Sequence, residues 1–388
     1  MGILSNTVSI SQFRVVGDKP TVDFFTWVDK CLESGGFRSI ERNSDEISMG
    51  WVRLDNAQDS EFGAGHTCQK DHYLAFTLRR DQRRLSSALI KYARDEAEAD
   101  FLEANPHLQH IPKQKRLEIR ELVRNDLLTR TLPSPATFDV VWDTRNDLVT
   151  FACLSSKTID LFMEEFKKTF EGLRLVPVHP FARARAVIPE QLVENLARAN
   201  RADSDAVMDM VKENRWLGCD FLLWLLYQTQ AAGSEYRISQ PGPANNGETF
   251  VAYINHRMTL AGASEEGPQR VSVTGPQVNF SEVRAALRDG KEILQAGICF
   301  ETQEDTWKLV LKGDMFHFSS FKSPPVKIEK DDLTDPQLEF EAVFFERMLL
   351  LEKGIQMFDS LLAAFLSQRL GETWQERSKA IQNWVQEG

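Results

Sequence analysis

The stretch from Phe138 to Gly172 constrains the fold more than any other part of the chain. Phe138, Val140 and Trp142 alternate with polar residues, Thr144-Arg145-Asn146-Asp147 supplies a turn, and Leu148–Leu154 returns. Period-two alternation on both sides of a short polar turn predicts an antiparallel β-hairpin. Ser155-Ser156 then caps a segment in which Ile159, Phe162, Met163, Phe166 and Phe170 recur at helical spacing, and Gly172 ends it. A hairpin that feeds a helix predicts an α+β fold rather than a doubly wound parallel sheet, which needs strands and helices in strict alternation.

The rest of the chain repeats this grammar. Val8–Val16 reads as a strand. A helix from about Thr21 puts Phe24, Phe25, Val28, Cys31 and Leu32 on its apolar side, and Gly35-Gly36 is expected to stop it through a positive φ. Strands are predicted at Ile47–Leu54 and His72–Leu78. The carboxy-terminal half predicts strands at Thr249–Leu260, Arg270–Thr274, Glu292–Phe300, Trp307–Lys312 and Met315–Phe321, with Gly313-Asp314 as the last hairpin turn. A helix at Ser281–Asp289, a long helix over Gln337–Leu370 and an amphipathic tail over Trp374–Val385 complete it. The expectation is two sheet-containing lobes with a protruding helical hairpin and a helical insertion. Residues 1–78 plus 131–180 form the amino-terminal α+β lobe, and 79–130 a charged helical-hairpin arm. Residues 181–248 form a helical insertion and linker, and 249–388 the carboxy-terminal lobe with its long terminal helix.

Composition excludes several classes. Among 388 residues, 25 Phe and 8 Trp supply too much core for a disordered chain, and no run of 18 apolar residues exists to span a bilayer. The first residues carry no signal-peptide pattern, and Asn6 breaks the myristoylation pattern, so a cytoplasmic location is expected. Cys31, Cys68, Cys153, Cys219 and Cys299 are odd in number and scattered, which predicts reduced thiols. His66, Cys68 and His72 lack the paired spacing of a zinc site. No phosphate-loop or nucleophile-elbow motif is present, and Gly63-Ala64-Gly65 runs into a strand. Asp139, Asp143 and Asp147 read as the solvent side of a hairpin, Glu301, Glu304 and Asp305 as a loop, and His317 as a strand histidine. No catalytic residue, metal or cofactor is predicted.

The positive charge has a pattern. The net charge is -11, yet residues 79–130 hold 12 cations against nine acids. Arg79-Arg80 and Arg83-Arg84 are expected to bracket the start of the first arm helix, which should bury Leu85, Leu89 and Tyr92 and carries Lys91. The second arm helix, opened by Pro112 and carrying Lys115 and Arg130, places Ile119, Leu122, Val123 and Asp126 along one side. On it, Lys113, Arg116, Arg120 and Arg124 fall at i, i+3, i+7 and i+11. That spacing puts four cations on one face over about 16 Å. Such a stripe suits a phosphate backbone engaged without base readout. It equally suits a solvated face held by ion pairs along the helix, such as Lys113 with Glu118 or Glu121 with Arg124. Spacing alone leaves both open.

Several segments, in order, resemble one family. They are Met49-Gly50-Trp51-Val52, Leu127-Leu128-Thr129-Arg130, Phe138-Asp-Val-Val-Trp-Asp143, Asn146-Asp-Leu148, Cys153-Leu-Ser-Ser-Lys157 and Leu175-Val-Pro-Val178. Ser281-Glu-Val283, Gly290-Lys291, Trp307-Lys-Leu-Val-Leu and Phe321-Lys322 follow in the second half. Together they resemble the bacterial recombination-associated RdgC family, over roughly 1–180 and 250–370. The resemblance implies a non-enzymatic binder of double-stranded DNA. Members form homodimers that close into a ring around duplex, bind with little sequence preference and restrain RecA-promoted strand exchange, which implies a nucleoid association. The DNA-contacting set it implies here is Arg79, Arg80, Arg83, Arg84, Lys91, Lys113, Lys115, Arg116, Arg120, Arg124 and Arg130. Leu127, Leu128 and Leu132 form one candidate dimer patch. Phe344, Phe345, Met348 and Leu349 form another. The sequence departs from the family pattern in residues 181–248, in the lysine-free segment Val273–Gln277, and at Leu132, where members can carry an interface aromatic. Two further readings stay open: a metal-dependent exonuclease, a label the family has also carried, and a protein-interaction module with no nucleic-acid contact.

Overall fold

The computed structural model describes residues 2–63, 68–264, 267–275, 280–327 and 335–387. The elements run β1 (Thr7–Gly17), α1 (Phe24–Ser34), β2 (Ile47–Arg53), β3 (Gln69–Lys70), β4 (Tyr73–Gln82), α2 (Ser87–Ala104), α3 (Lys113–Arg130), β5 (Ser134–Asp143), β6 (Leu148–Phe151), α4 (Ser156–Thr169), β7 (Leu173–Pro177) and α5 (Pro180–Val187). They continue with α6 (Val193–Ala199), α7 (Val207–Glu213), α8 (Trp216–Tyr227), β8 (Glu235–Arg237), β9 (Thr249–Ser264), β10 (Gly267–Thr274), α9 (Ser281–Arg288), β11 (Glu292–Glu301), β12 (Thr306–Lys312), β13 (His317–Lys322), α10 (Pro336–Arg369) and α11 (Trp374–Gln386). Helix and antiparallel sheet are mixed as the sequence predicts. Among the described residues no helix is long and apolar enough to cross a membrane.

Contacts divide the chain into two units, one made of 17–144 and 161–174 and the other of 1–16, 145–160 and 175–388. In the first unit β5, β4 and β2 pair side by side and β3 adds to β4. The register aligns Trp51 with Leu78, Leu78 with Phe138, Phe76 with Val140 and Leu74 with Trp142, so one face of this sheet is apolar. Aromatic side chains of α1 and of the end of α4 cover that face: Phe24 meets Trp142 at 5.6 Å, Trp51 meets Phe162 at 6.4 Å, and Trp142 meets Phe166 at 5.7 Å. On the opposite face Thr77 donates to Asp139 at 2.9 Å, beside buried Val52, Ala75 and Val141. Asp139 is thereby tied into the sheet.

Gly35 does not stop α1 by a positive φ, since its φ is -90°. Its role is close approach. A Cβ there would lie 2.8 Å from Trp51 Cδ1 and 3.0 Å from Thr169 Oγ1, the pair joined by a 2.7 Å hydrogen bond from the Trp51 indole. Gly35→Ala is therefore expected to cost about 1–3 kcal/mol by overpacking a rigid ring. A thermal melt of the variant that matches the parent would refute this.

In the second unit the strands follow the order β10-β9-β11-β12-β13-β1-β6, with β8 on β9 and β7 on β1. β1 pairs antiparallel with β13, Thr7 opposite Lys322, so the first strand belongs with the carboxy-terminal sequence. Helix α10 supplies much of the core through Phe344, Leu351, Phe358, Leu362 and Phe365. Helix α8 contributes Phe221, which meets Phe365 at 5.5 Å. Arg183 of α5 is buried here, donating to Asp359 at 2.6 Å and to Gln12. Burial pushes the Asp359 carboxyl up, and the Arg183 guanidinium opposes that shift.

Candidate nucleic-acid interface

The arm grows from the first unit's sheet. β4 continues to Gln82, so Arg79 and Arg80 lie on a strand and not at a helix start. Helix α2 begins where the Ser86 hydroxyl accepts from the Leu89 amide at 3.2 Å. Asn105 closes it by donating to the Phe101 carbonyl at 2.8 Å. Pro112 precedes α3, which buries Ile119, Leu127 and Leu128, whereas α2 buries no residue. Leu89 and Tyr92 are exposed, contrary to the expected apolar stripe, and Leu122 is exposed on α3. Narrow helices carrying many charges have little apolar surface to bury, so the stripe gives way to solvent.

The cations separate into two groups. Arg79 makes a paired contact with Asp81, 2.8 Å from Nε and 2.8 Å from Nη2, donates from Nη1 to the Ala57 carbonyl at 3.0 Å, and stacks 4.3 Å from the Phe37 ring. Arg83 is 1% exposed and donates to the carbonyls of Thr131 (2.7 Å), Asn43 (2.8 Å), Asp45 (2.7 Å) and Ile40 (2.8 Å). It thus ties the outgoing and returning roots of the arm to the 40–45 loop, and is spent structurally. Arg83 therefore leaves the set of phosphate contacts, and Arg79 is held inward by Asp81. Arg80 is half-buried 5.8 Å from the Phe138 ring. Arg84 and Lys91 are exposed.

Helix α3 carries the second group. Lys113 and Arg120 are exposed and make no ion pair among the described residues. Arg116 lies 3.7 Å from Glu98 of α2, and Arg124 pairs with Glu46. Lys115 pairs with Glu118 at 3.0 Å, and Arg130 with Asp126 at 2.9 Å. The Lys113–Glu118 and Glu121–Arg124 pairs considered from spacing do not form. The charge is also split between the helices. Helix α3 holds six cations and three acids, while α2 holds two cations, Lys91 and Arg94, and five acids. The hairpin is cationic on α3 and anionic on α2, which the summed charge of 79–130 conceals.

Exposed Arg38 and Arg42 flank the carbonyls that Arg83 holds. Sequence reasoning missed both, as it missed Glu46, because their nearness to the arm depends on a loop fixed by a residue some 40 positions away. Of the candidate dimer residues, Leu127 (9%) and Leu128 (4%) are core positions, while Leu132 is 83% exposed. Phe344 and Met348 are likewise buried, and Phe345 and Leu349 point outward. The first patch therefore keeps one of its three residues and the second two of its four, because the other positions of the same apolar runs face the monomer's own core. Cys68 is buried and hydrogen-bonded to Asp29 at 3.3 Å, which with burial pushes its thiol pKa far up, and His72 contacts Asp71 at 2.6 Å. His66, Ala64, Gly65, Pro276 and Gln277 lie outside the described residues. Among the described residues no three His, Cys, Asp or Glu side chains converge as metal ligands. His317 lies on β13, and burial lowers its pKa.

A search of curated proteins returned no match. A family model described as "Putative exonuclease, RdgC" matches residues 17–215, just over half of the chain. The chain belongs to the RdgC family. The match takes in the whole arm, including the α3 stripe. It also runs through 181–215, so the first part of the segment read as an insertion lies inside the matched RdgC region.

Proposed function

We propose that this RdgC-family chain binds double-stranded DNA through its phosphate backbone without sequence preference, acting as a homodimer that encircles duplex and restrains RecA-promoted strand exchange on the nucleoid. The observation that carries the reading is the α3 face, where Lys113 and Arg120, unpaired among the described residues, stand in line with Arg116 and Arg124. Exposed cations without partners lose little on meeting phosphate, and each contact releases condensed counterions. Arg116 and Arg124 give up only surface pairs, worth about 0–1 kcal/mol each. The acid-rich α2 turns duplex toward α3 by repulsion. Exposed Leu132, Phe345 and Leu349 support self-association, each being a large apolar side chain left in solvent.

The family description also names an exonuclease, and nuclease action would need groups that activate water against a phosphodiester. A shift assay with long duplex across a salt series, with Mg²⁺ or with EDTA, separates the readings. Binding that weakens linearly in log salt, persists in EDTA and leaves every strand intact is expected. Strand loss that requires Mg²⁺ would replace the binding-only reading with the nuclease. Light scattering that finds a monomer at micromolar concentration would remove the ring.

A further inference from the structure

The second unit contains a cavity of about 630 Å³ that the DNA reading does not use. It lies among β1, α5, α6 and α7, and its apolar lining includes Phe181, Leu196 and Met210. Arg14 of β1 and Arg185 of α5 reach it from separate elements. Both are exposed, and neither makes an ion pair among the described residues. Asp205 also lines it and is unpaired among the described residues.

His179 is the unusual member. His179 lines the cavity, is 7% exposed, and its Nδ1 is sealed from solvent with no hydrogen-bond partner among the described residues. Burial lowers its pKa, so the ring is neutral near pH 7. A proton on Nδ1 would have no acceptor, so the neutral ring carries its proton on Nε2. Nε2–H is therefore the ring atom left to meet a ligand, while Nδ1 stays sealed in the protein. The cavity size suits a small organic ligand.

We propose that this cavity binds a phosphate monoester on a hydroxyl-bearing organic body of mononucleotide size. Arg14 and Arg185 hold the phosphate, His179 donates to the ligand, and Asp205 accepts from its hydroxyl. The guanidinium fork matches phosphate oxygens in geometry and charge, and two forks from different elements favour a dianion over a monocarboxylate. The apolar lining takes the base or ring. This inference stands apart from the α3 stripe, which engages diesters of a continuous backbone.

Calorimetry tests it with the four deoxynucleoside 5′-monophosphates and ribose 5-phosphate, with deoxyadenosine as the phosphate-free control. At least one monoester should bind saturably, and deoxyadenosine should not. R14Q/R185Q should weaken that binding by roughly tenfold or more while its melt stays unchanged, since both side chains are exposed. The α3 variant Lys113→Ala/Arg116→Ala/Arg120→Ala/Arg124→Ala should leave it unaltered. No saturable binding of any monoester, or binding that R14Q/R185Q leaves intact, overturns the proposal. A 5′-phosphorylated oligonucleotide compared with its 5′-hydroxyl counterpart identifies the source. A preference for the phosphorylated strand that R14Q/R185Q abolishes assigns the site to strand ends, and no such preference assigns it to a free monophosphate.

Discussion

Replacing Lys113, Arg116, Arg120 and Arg124 together with Ala is expected to weaken duplex binding by up to several thousandfold at roughly 0.1 M salt, and equally on all sequences. The size follows from counterion release, in which each phosphate contact contributes about 0.9 to the slope of log affinity on log salt. At roughly 0.1 M salt that is nearly tenfold per contact. The four residues are not equivalent. Among the described residues Lys113 and Arg120 have no partner to leave, whereas Arg116 is drawn to Glu98 and Arg124 to Glu46. The pair Lys113→Ala/Arg120→Ala should therefore flatten the slope by about 1.8, and Arg116→Ala/Arg124→Ala by less. Glu46→Gln should release Arg124 and strengthen binding. The fold should survive, because exposed substitutions usually stay within about 0.5 kcal/mol each. A quadruple variant that binds as tightly and with the same slope would make the stripe a solvated face. It would return the arm to the reading of a protein-interaction module.

Element type was legible in this sequence wherever a local signal decides it. Alternation marks β5, and Ser155-Ser156 opens the helix that becomes α4. What local pattern cannot carry is pairing across the chain. β1 joins β13 across more than 300 residues, so the first 16 residues fall in the unit that holds the carboxy-terminal half. The same limit governs the site. The α3 stripe was legible because helical spacing alone places Lys113, Arg116, Arg120 and Arg124 on one face. Whether a given arginine is free was not, because its partner is set by tertiary approach, as with Glu46 for Arg124. Arg79 and Arg83 looked like the densest part of the cation cluster. Strand continuation through Gln82 and the 40–45 loop turned one toward Asp81 and buried the other. His179 gave no sequence signal, since a single histidine before a proline has no periodicity to flag it.

Arg83→Met is expected to lower the stability of the 17–144 unit by about 3–5 kcal/mol, among the largest effects of any single charged residue. Arg83 is the same residue type as its exposed neighbour Arg84, so the two form an internal comparison. Arg83 spans four carbonyls, those of Ile40, Asn43, Asp45 and Thr131, at 2.7–2.8 Å. Met fills part of the volume but donates nothing, and each carbonyl left dry costs on the order of 1–3 kcal/mol before loop relaxation returns some to water. Arg84→Met has no such groups to orphan and should stay within about 0.5 kcal/mol. In urea, the Arg83 variant should show a lower midpoint with an unchanged slope, which marks lost stability rather than an altered unfolded state. DNA binding gives the opposite ordering. Among molecules still folded, Arg83→Met should leave the salt slope unchanged because the guanidinium never reaches a phosphate, while Arg84→Met should flatten it by up to about 0.9. An Arg83 variant that melts with the parent but loses salt slope would place the residue on DNA. It would also mean that the arm's roots are held by something other than this clamp.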